Sequence, residues 1–446
     1  MGEGMSAAHA IFGMSAVWVA AVLFVGAYVT IVTEKVNRAI VALIGAGLMI
    51  LSGVLTQEQA VAGVDFNTLG LLLGMMLIVN ITQKCGVFQF VAIWSAKKVK
   101  AHPWGILLMM ATVTAVFSAL LDNVTTVLLT VPVTLLIAEE LEIKPYPLLF
   151  AQIFASNIGG TATLIGDPPN IMIGSAVNLT FNDFVLNLTP VVVVALLATL
   201  VPFYFIWGRH MGATDEARAR VMNFREADAI TNTRLLKQSL TVITMVISGF
   251  VLQRQLHLEP ATIALSGASL LLLLENFGQN ADEQTRSVHH TISQAEWVTL
   301  FFFLGLFILV TGIEKVGLIH TLANELLSAT GTDIKVMTLT VLWASAIFSA
   351  LIDNIPFVAT MIPLIKAMAP SFGGEQAIMP LWWALSLGAC LGGNGTLIGA
   401  SANLVVAGLA ERAGTPFRFM EFTRVAFPLM LISIILSHVY IYFRYL

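Results

Sequence analysis

A chain of 446 residues that is 57% hydrophobic and only 11% charged is too apolar for a soluble domain, so most of its length has to lie in lipid. A net charge of −4 without a long basic run argues against nucleic acid as a partner. The two cysteines, Cys85 and Cys390, are too few for a disulfide framework or a thiolate metal site, and their apolar settings point to packing.

Taken in order, the first apolar run, 15–32, is long enough to span and is followed by another, which predicts a retained helix and not a cleaved signal. The opening Met-Gly-Glu-Gly-Met-Ser fits a loose myristoylation pattern, for which chance is the better account. Further spans are predicted at 39–55, 69–83, 103–121, 124–138, 188–208, 237–252, 259–275, 297–313, 334–352, 355–369 and 425–443. Two longer runs, 146–178 and 379–411, carry Gly and Pro at their centres and read as half-helices joined by unwound backbone. The pairs 103–121 with 124–138 and 334–352 with 355–369 leave no room for a solvated loop between them. Each reads as a re-entrant hairpin, although two full spans would give the same sidedness.

A duplication organises these elements. FSALLDN at Phe117 to Asn123 recurs as FSALIDN at Phe348 to Asn354, a shift of 231, and GGTATLIGDPPN (Gly159 to Asn170) is answered by GGNGTLIGASAN (Gly392 to Asn403). At the first shift Asp65 also meets Glu296, Gly74 meets Gly305 and Lys84 meets Lys315. Lysine and arginine then orient the chain. With the N-terminus outside, the inner segments 33–38, 84–102, 139–147, 209–237, 276–296 and 412–424 hold 17 of the 22 basic residues. The number of crossings between matching spans is odd, so the repeats are inverted. The expected organisation is an N-terminal span (1–38), a first repeat (39–208), a cytoplasmic linker (209–237), a connecting span (238–258) and a second, inverted repeat (259–443). The fold class is an all-α polytopic membrane protein of two inverted-topology repeats with re-entrant hairpins and discontinuous helices, the architecture of a transporter whose site lies at the repeat interface.

The candidate site follows from what is costly in lipid. Carboxylates at depth cost about 2.5–3.5 kcal/mol each on insertion scales, so Asp122 and Asp353 at matching hairpin tips are expected to couple to protons or bind a cation; each could equally cap the helix that follows it. Asp167 lies in the first unwound segment where the second has Ala400, and is read as a proton carrier or a loop cap. Asn123, Asn354, Thr161, Thr163, Asn170, Asn394, Thr396 and Asn403 supply neutral hydrogen-bonding groups for a substrate; capping of the broken helices is the alternative, open for Thr163 and Thr396 and second to ligand contact for Asn170 and Asn403. Asp65 and Glu296, at span ends near water, read as structural. No nucleophile–base pair, spaced His cluster or phosphate loop suggests an enzyme.

The segment ASNIGGTATLIGDPPNIMIG, preceded by the Asp-Asn hairpin and repeated in inverted form, resembles the ArsB and P-protein permeases of the ion transporter superfamily, a group related to bacterial divalent-anion and citrate transporters. The likeness covers nearly the whole chain. It implies efflux of arsenite or antimonite by proton exchange in the inner (plasma) membrane, driven by the proton motive force without a cofactor. Sodium/proton exchange is the alternative and organic anion transport a weaker one. It also implies an elevator-like motion and a homodimer, and allows a soluble ATPase subunit. Dicarboxylate carriers of the superfamily have Ser-Asn-Thr at their hairpin tips; here Asp122-Asn123-Val124 and Asp353-Asn354-Ile355 stand in those positions, which disfavours a dianion. Uncharged arsenite would be held by oxygen and amide groups, since no thiol trio is present.

Overall fold

The computed structural model describes residues 13–33 and 35–446; the myristoylation-like opening lies outside the described residues. Among the described residues nine helices are long and apolar enough to cross a membrane, and three shorter apolar helices, Ala16–Val32, Arg38–Leu51 and Pro260–Asn276, join them. Many carry a broad apolar face toward the outside. Leu186, Val193, Val194, Leu197 and Val201 of the helix Phe181–Ile206 are all exposed. In water such a face would aggregate; in lipid it is the contact surface.

The two halves repeat helix for helix. Arg38–Leu51, Phe66–Gln83, Val87–Lys98, the first hairpin (Pro103–Leu120 and Asn123–Glu140), the first broken helix (Tyr146–Thr161 and Pro168–Val177) and Phe181–Ile206 make up one half. Pro260–Asn276, Trp297–Lys315, Leu318–Thr330, the second hairpin (Ile334–Leu351 and Asn354–Met368), the second broken helix (Met379–Gly392 and Ser401–Arg412) and Phe419–Tyr445 make up the other. Packing between the halves is exchanged: Phe66–Gln83 lies along Pro260–Asn276, and Trp297–Lys315 lies along Arg38–Leu51. Glycine sets both crossings. A Cβ on Gly74 would sit 2.7 Å from the Ala264 carbonyl carbon, and one on Gly305 would sit 2.5 Å from that of Ala42, so only glycine lets the backbones approach this closely. These four helices form a framework. The hairpins and broken helices form a second body, in which each hairpin's first helix packs along the first half of its own broken helix and its second helix reaches the other repeat's broken helix.

Several boundaries differ from the sequence reading, for local reasons. The span expected from 188 begins at Phe181, because Thr180 and Asp183 form a capping box that starts the helix in a polar turn. The span expected from 425 begins at Phe419. The inner segment 84–102 is not a plain loop but holds the helix Val87–Lys98, and its counterpart Leu318–Thr330 lay equally hidden after a span. Lys84 donates to Glu275 Oε1 at 2.8 Å and to the Thr291 hydroxyl at 2.7 Å, pinning two framework helices together.

The stretch 209–237 is docked as well as solvated. Its helix Asp215–Met222 buries Ala217 and Val221, Lys97 Nζ lies 2.5 Å from Glu226, and Arg220 pairs with Glu142 at 2.5 Å. Lys97 donating to Glu226 holds that carboxyl below its ordinary range.

Candidate functional site

Each hairpin tip is built by a helix stop and an immediate restart. Leu121 and Asp122 alone separate the first pair of helices, and Asp122 sits at φ −84°, ψ 156°, the extended geometry of an N-cap. Its carboxylate accepts the Thr125 N–H at 2.8 Å and also the Thr125 hydroxyl. Asp353 does the same at the second tip, accepting the Ile355 N–H at 3.0 Å. Capping is therefore present at both tips: Thr125 engages both oxygens of Asp122, whereas the second oxygen of Asp353 is left to accept from Arg38 and Ser401. Asp167 makes no capping bond. Both of its oxygens face Asn354 Nδ2 at 3.4 Å, so the first unwound segment meets the tip of the opposite hairpin.

The two tips and the first unwound segment enclose a cavity of about 20 Å³, room for about one water molecule, lined by Asp122, Asn123, Asp167 and Asn354 among others. Four further polar residues lie on its wall: Arg38, Glu296, Thr299 and Ser401. A wider vestibule of about 270 Å³ adjoins it, sharing Arg38, Glu296, Thr299 and Ser401 and adding Asp353. Asp122, Asp167 and Glu296 thus share the cavity wall with a single guanidinium among the described residues, that of Arg38, which is already paired with Asp353 at 2.7 Å. Charge balance in such a space calls for protons or a cation.

Six residues expected to contact substrate lie beneath the cavity and bond to the protein itself. The Thr163 hydroxyl donates to Ala119 O at 2.5 Å and its mate Thr396 to Ala350 O at 2.6 Å, each fastening an unwound segment to its own hairpin. Thr161 donates to Asn157 O at 2.7 Å. Asn170 Nδ2 donates to the carbonyls of Thr161 (3.1 Å) and Thr163 (2.9 Å), and Asn403 Nδ2 to those of Gly393 (2.7 Å) and Thr396 (2.9 Å), which supplies partners that the broken helices cannot.

These bonds also fix which way the amides face. Carbonyls can only accept, so Asn403 must turn Nδ2 toward them and Oδ1 toward Asn157 Nδ2, 2.8 Å away. Asn157 Nδ2 also donates to Asn394 Oδ1 at 3.0 Å, and Asn157 Oδ1 accepts from Asn123 Nδ2 at 3.2 Å. Asn157 is fully buried and joins the first hairpin tip to both ends of the second unwound segment. Its repeat position is Cys390, whose Sγ lies 3.6 Å from Asn170 Oδ1. Arg38, Glu296 and Asn157 were not foreseen. Asn157 could have been: it stands as far before Asn170 as Cys390 stands before Asn403, inside a motif already marked by its repeat.

Paired hairpins and broken helices closing on an acidic cavity, in a helical chain with lipid-facing sides, define the class of a membrane transporter. The chain belongs to the citrate transporter family, whose model matches residues 28–388. It is 43% identical over 431 residues to an uncharacterized transporter of Mycobacterium tuberculosis, covering 96% of this chain and 98% of that one. It is 33% identical over 506 residues to P protein of Sus scrofa, covering 95% of this chain and 59% of that protein. The motif resemblance is thus met at the level of the ion transporter superfamily. Among solved structures, the YdaH transporter of Alcanivorax borkumensis shares the fold with a TM-score of 0.57 at 15% identity, covering 95% of this chain and 97% of that one. MtrF of Neisseria gonorrhoeae does so with a TM-score of 0.54 at 11% identity, covering 97% and 95%.

Proposed function

We propose that this chain is a proton-coupled secondary transporter and that its cargo carries no net negative charge. The observation that carries the reading is the acidic cavity, in which Asp122, Asp167 and Glu296 line the wall and Arg38 is already paired with Asp353. A citrate or dicarboxylate anion entering it would meet like charge in a poorly solvated space, at a cost of several kcal/mol. Uncharged trihydroxides, arsenite and antimonite, suit a wall of carboxylate and amide groups, and their efflux in exchange for protons is the first reading, drawn from the motif resemblance. Sodium/proton exchange is the second. It is favoured by the hard oxygen donors of Asp122, Asp167 and Asn123 around a space the size of one small ion.

In this reading the hairpins and broken helices carry the cavity past the framework helices in alternating access, with Asp122, Asp353 and Asp167 as proton carriers. The basic segments face the cytoplasm of an inner membrane. A homodimer and a soluble ATPase subunit are proposed from the resemblance alone. The test is proton flux into proteoliposomes carrying a pH dye, with arsenite, sodium, citrate and succinate offered singly. Flux with arsenite or sodium is expected. Flux with citrate or succinate alone would refute the charge argument.

A further inference from the structure

Among the described residues, the only basic side chain on the wall of the central cavity belongs to neither duplicated motif. Arg38 opens a framework helix, and its Nη1 donates to Asp353 Oδ2 at 2.7 Å and to the Ser401 hydroxyl at 2.6 Å. Ser401 in turn donates to the same carboxylate oxygen at 2.9 Å. The guanidinium lies 5.0 Å over the ring of Phe302, a residue of the framework helix that packs beside its own. One side chain therefore ties the framework to two parts of the other body, the tip of the second hairpin and the start of Ser401–Arg412.

Its place is as telling as its bonds. Arg38 lines both the central cavity and the vestibule, so it forms part of the partition between them. The first repeat has no such device. Asp122 is bonded within its own helical turn, through Thr125, and among the described residues forms no ion pair. The two faces of an otherwise duplicated site are closed by different means.

We propose that Arg38 is the gate of the vestibule face: its bridge to Asp353 and Ser401 seals the central cavity from the vestibule, and the cavity opens to that face when the bridge parts. Nη1 holds Asp353 and Ser401 together while Nη2 lies 3.5 Å from the Thr299 hydroxyl and the guanidinium plane stacks on Phe302, a planar multi-point fit that lysine cannot reproduce. The inference rests on the transport reading, since a gate presupposes alternating access, but its test does not depend on cargo.

The test is labelling by a membrane-impermeant maleimide applied to either face of sealed vesicles containing the full chain. Met76→Cys reports the central cavity and Val405→Cys the vestibule, each compared with the chain lacking the added cysteine. With Arg38 intact, Val405→Cys should label from the Arg38 face and Met76→Cys only slowly. Arg38→Gln should speed labelling of Met76→Cys from that face by about tenfold or more, as expected when a closed state loses its main fastening, and leave Val405→Cys unchanged. Arg38→Lys, which keeps the charge and loses the planar contacts with Phe302 and Thr299, should fall between, and an Arg38→Asp, Asp353→Arg exchange should slow it again. An unchanged Met76→Cys rate in Arg38→Gln and Arg38→Lys overturns the gate, as does an equal rise at Val405→Cys, which would signal general loosening. Failure of the transport reading would show elsewhere, as wild-type proteoliposomes silent to every cargo.

Discussion

Replacing Asn157 offers the sharpest test of how the site is held together. Asn157→Ala removes three hydrogen bonds, from Asn123 at 3.2 Å, to Asn394 at 3.0 Å and to Asn403 at 2.8 Å, in a region without solvent exposure. Buried bonds between membrane helices average about 0.6 kcal/mol each and reach about 1.7, so the loss should be roughly 2–5 kcal/mol. Asn157→Asp nearly preserves volume, yet it sets carboxylate oxygens where Asn394 and Asn403 present their own oxygens. Asn394, whose Nδ2 has no partner, can turn to meet the new carboxylate, but Asn403 cannot, since its Nδ2 is committed to the Gly393 and Thr396 carbonyls, and its oxygen stays against the added charge. The Asp variant should therefore be at least as unstable as the Ala variant, opposite to what size alone predicts. Thermal unfolding in detergent would measure both, with proteoliposome flux as the companion readout. An Asp variant as stable as the parent would refute the assigned amide orientations and the hub with them.

Three other outcomes are expected. Asp122→Asn and Asp353→Asn should each abolish proton-coupled flux while the protein stays folded, because an amide carries no exchangeable charge and keeps an oxygen for the cap; normal proton-driven flux by both would leave these acids as caps alone. Gly305→Val and Gly74→Val should each lower the unfolding temperature, since the new side chains meet backbone at 2.5 Å and 2.7 Å and overpacking costs about 1–3 kcal/mol, whereas Gly47→Ala, with open space around it, should do little. Docking of the linker should depend on acid in one direction. With Glu226 held below its ordinary range by Lys97, its contribution is present above about pH 4.3, the unpaired glutamate value, and is lost as pH falls through the lowered one, so protection factors across 215–229, corrected for the intrinsic exchange rate at each pH, should hold at pH 7 and fall only in acid.

The features legible in the sequence were those that break a rule of lipid-buried chains. Gly159 and Gly160, answered by Gly392 and Gly393, interrupt apolar runs, helped in the first by Pro168 and Pro169, and the repeated pair Asp122 and Asp353 puts charge where none is tolerated without a reason. The hairpins, broken helices and repeat follow from them. Arg38 was hidden by its neighbourhood: in a short basic segment it reads as one more positive charge on the inner side, and only the folded chain shows it reaching a hairpin tip 315 positions away. Glu296 sits at a span end, where water is the usual neighbour, yet the packing of Trp297–Lys315 against the second hairpin turns it onto the cavity wall. The buried roles of Asn170 and Asn403 were equally out of reach, because a ligand and an unpaired carbonyl call for the same amide.

The paired hydroxyl ties have a mechanical consequence. Ser118 donates to Ser156 O at 2.6 Å and Thr163 to Ala119 O at 2.5 Å, while Ser349 donates to Ala389 O at 2.5 Å and Thr396 to Ala350 O at 2.6 Å. Gly159 and Gly392 press against the backbone of Ala115 and Ala346 at the same two junctions. Each hairpin is thus riveted to its own broken helix by short hydroxyls bonded to main-chain carbonyls and by direct backbone contact at glycine, fastenings that have little slack. The unwound segments, for all their irregular shape, are poor places for a hinge: a piece fastened this way travels whole or not at all, and whatever yields must lie at its borders with the framework.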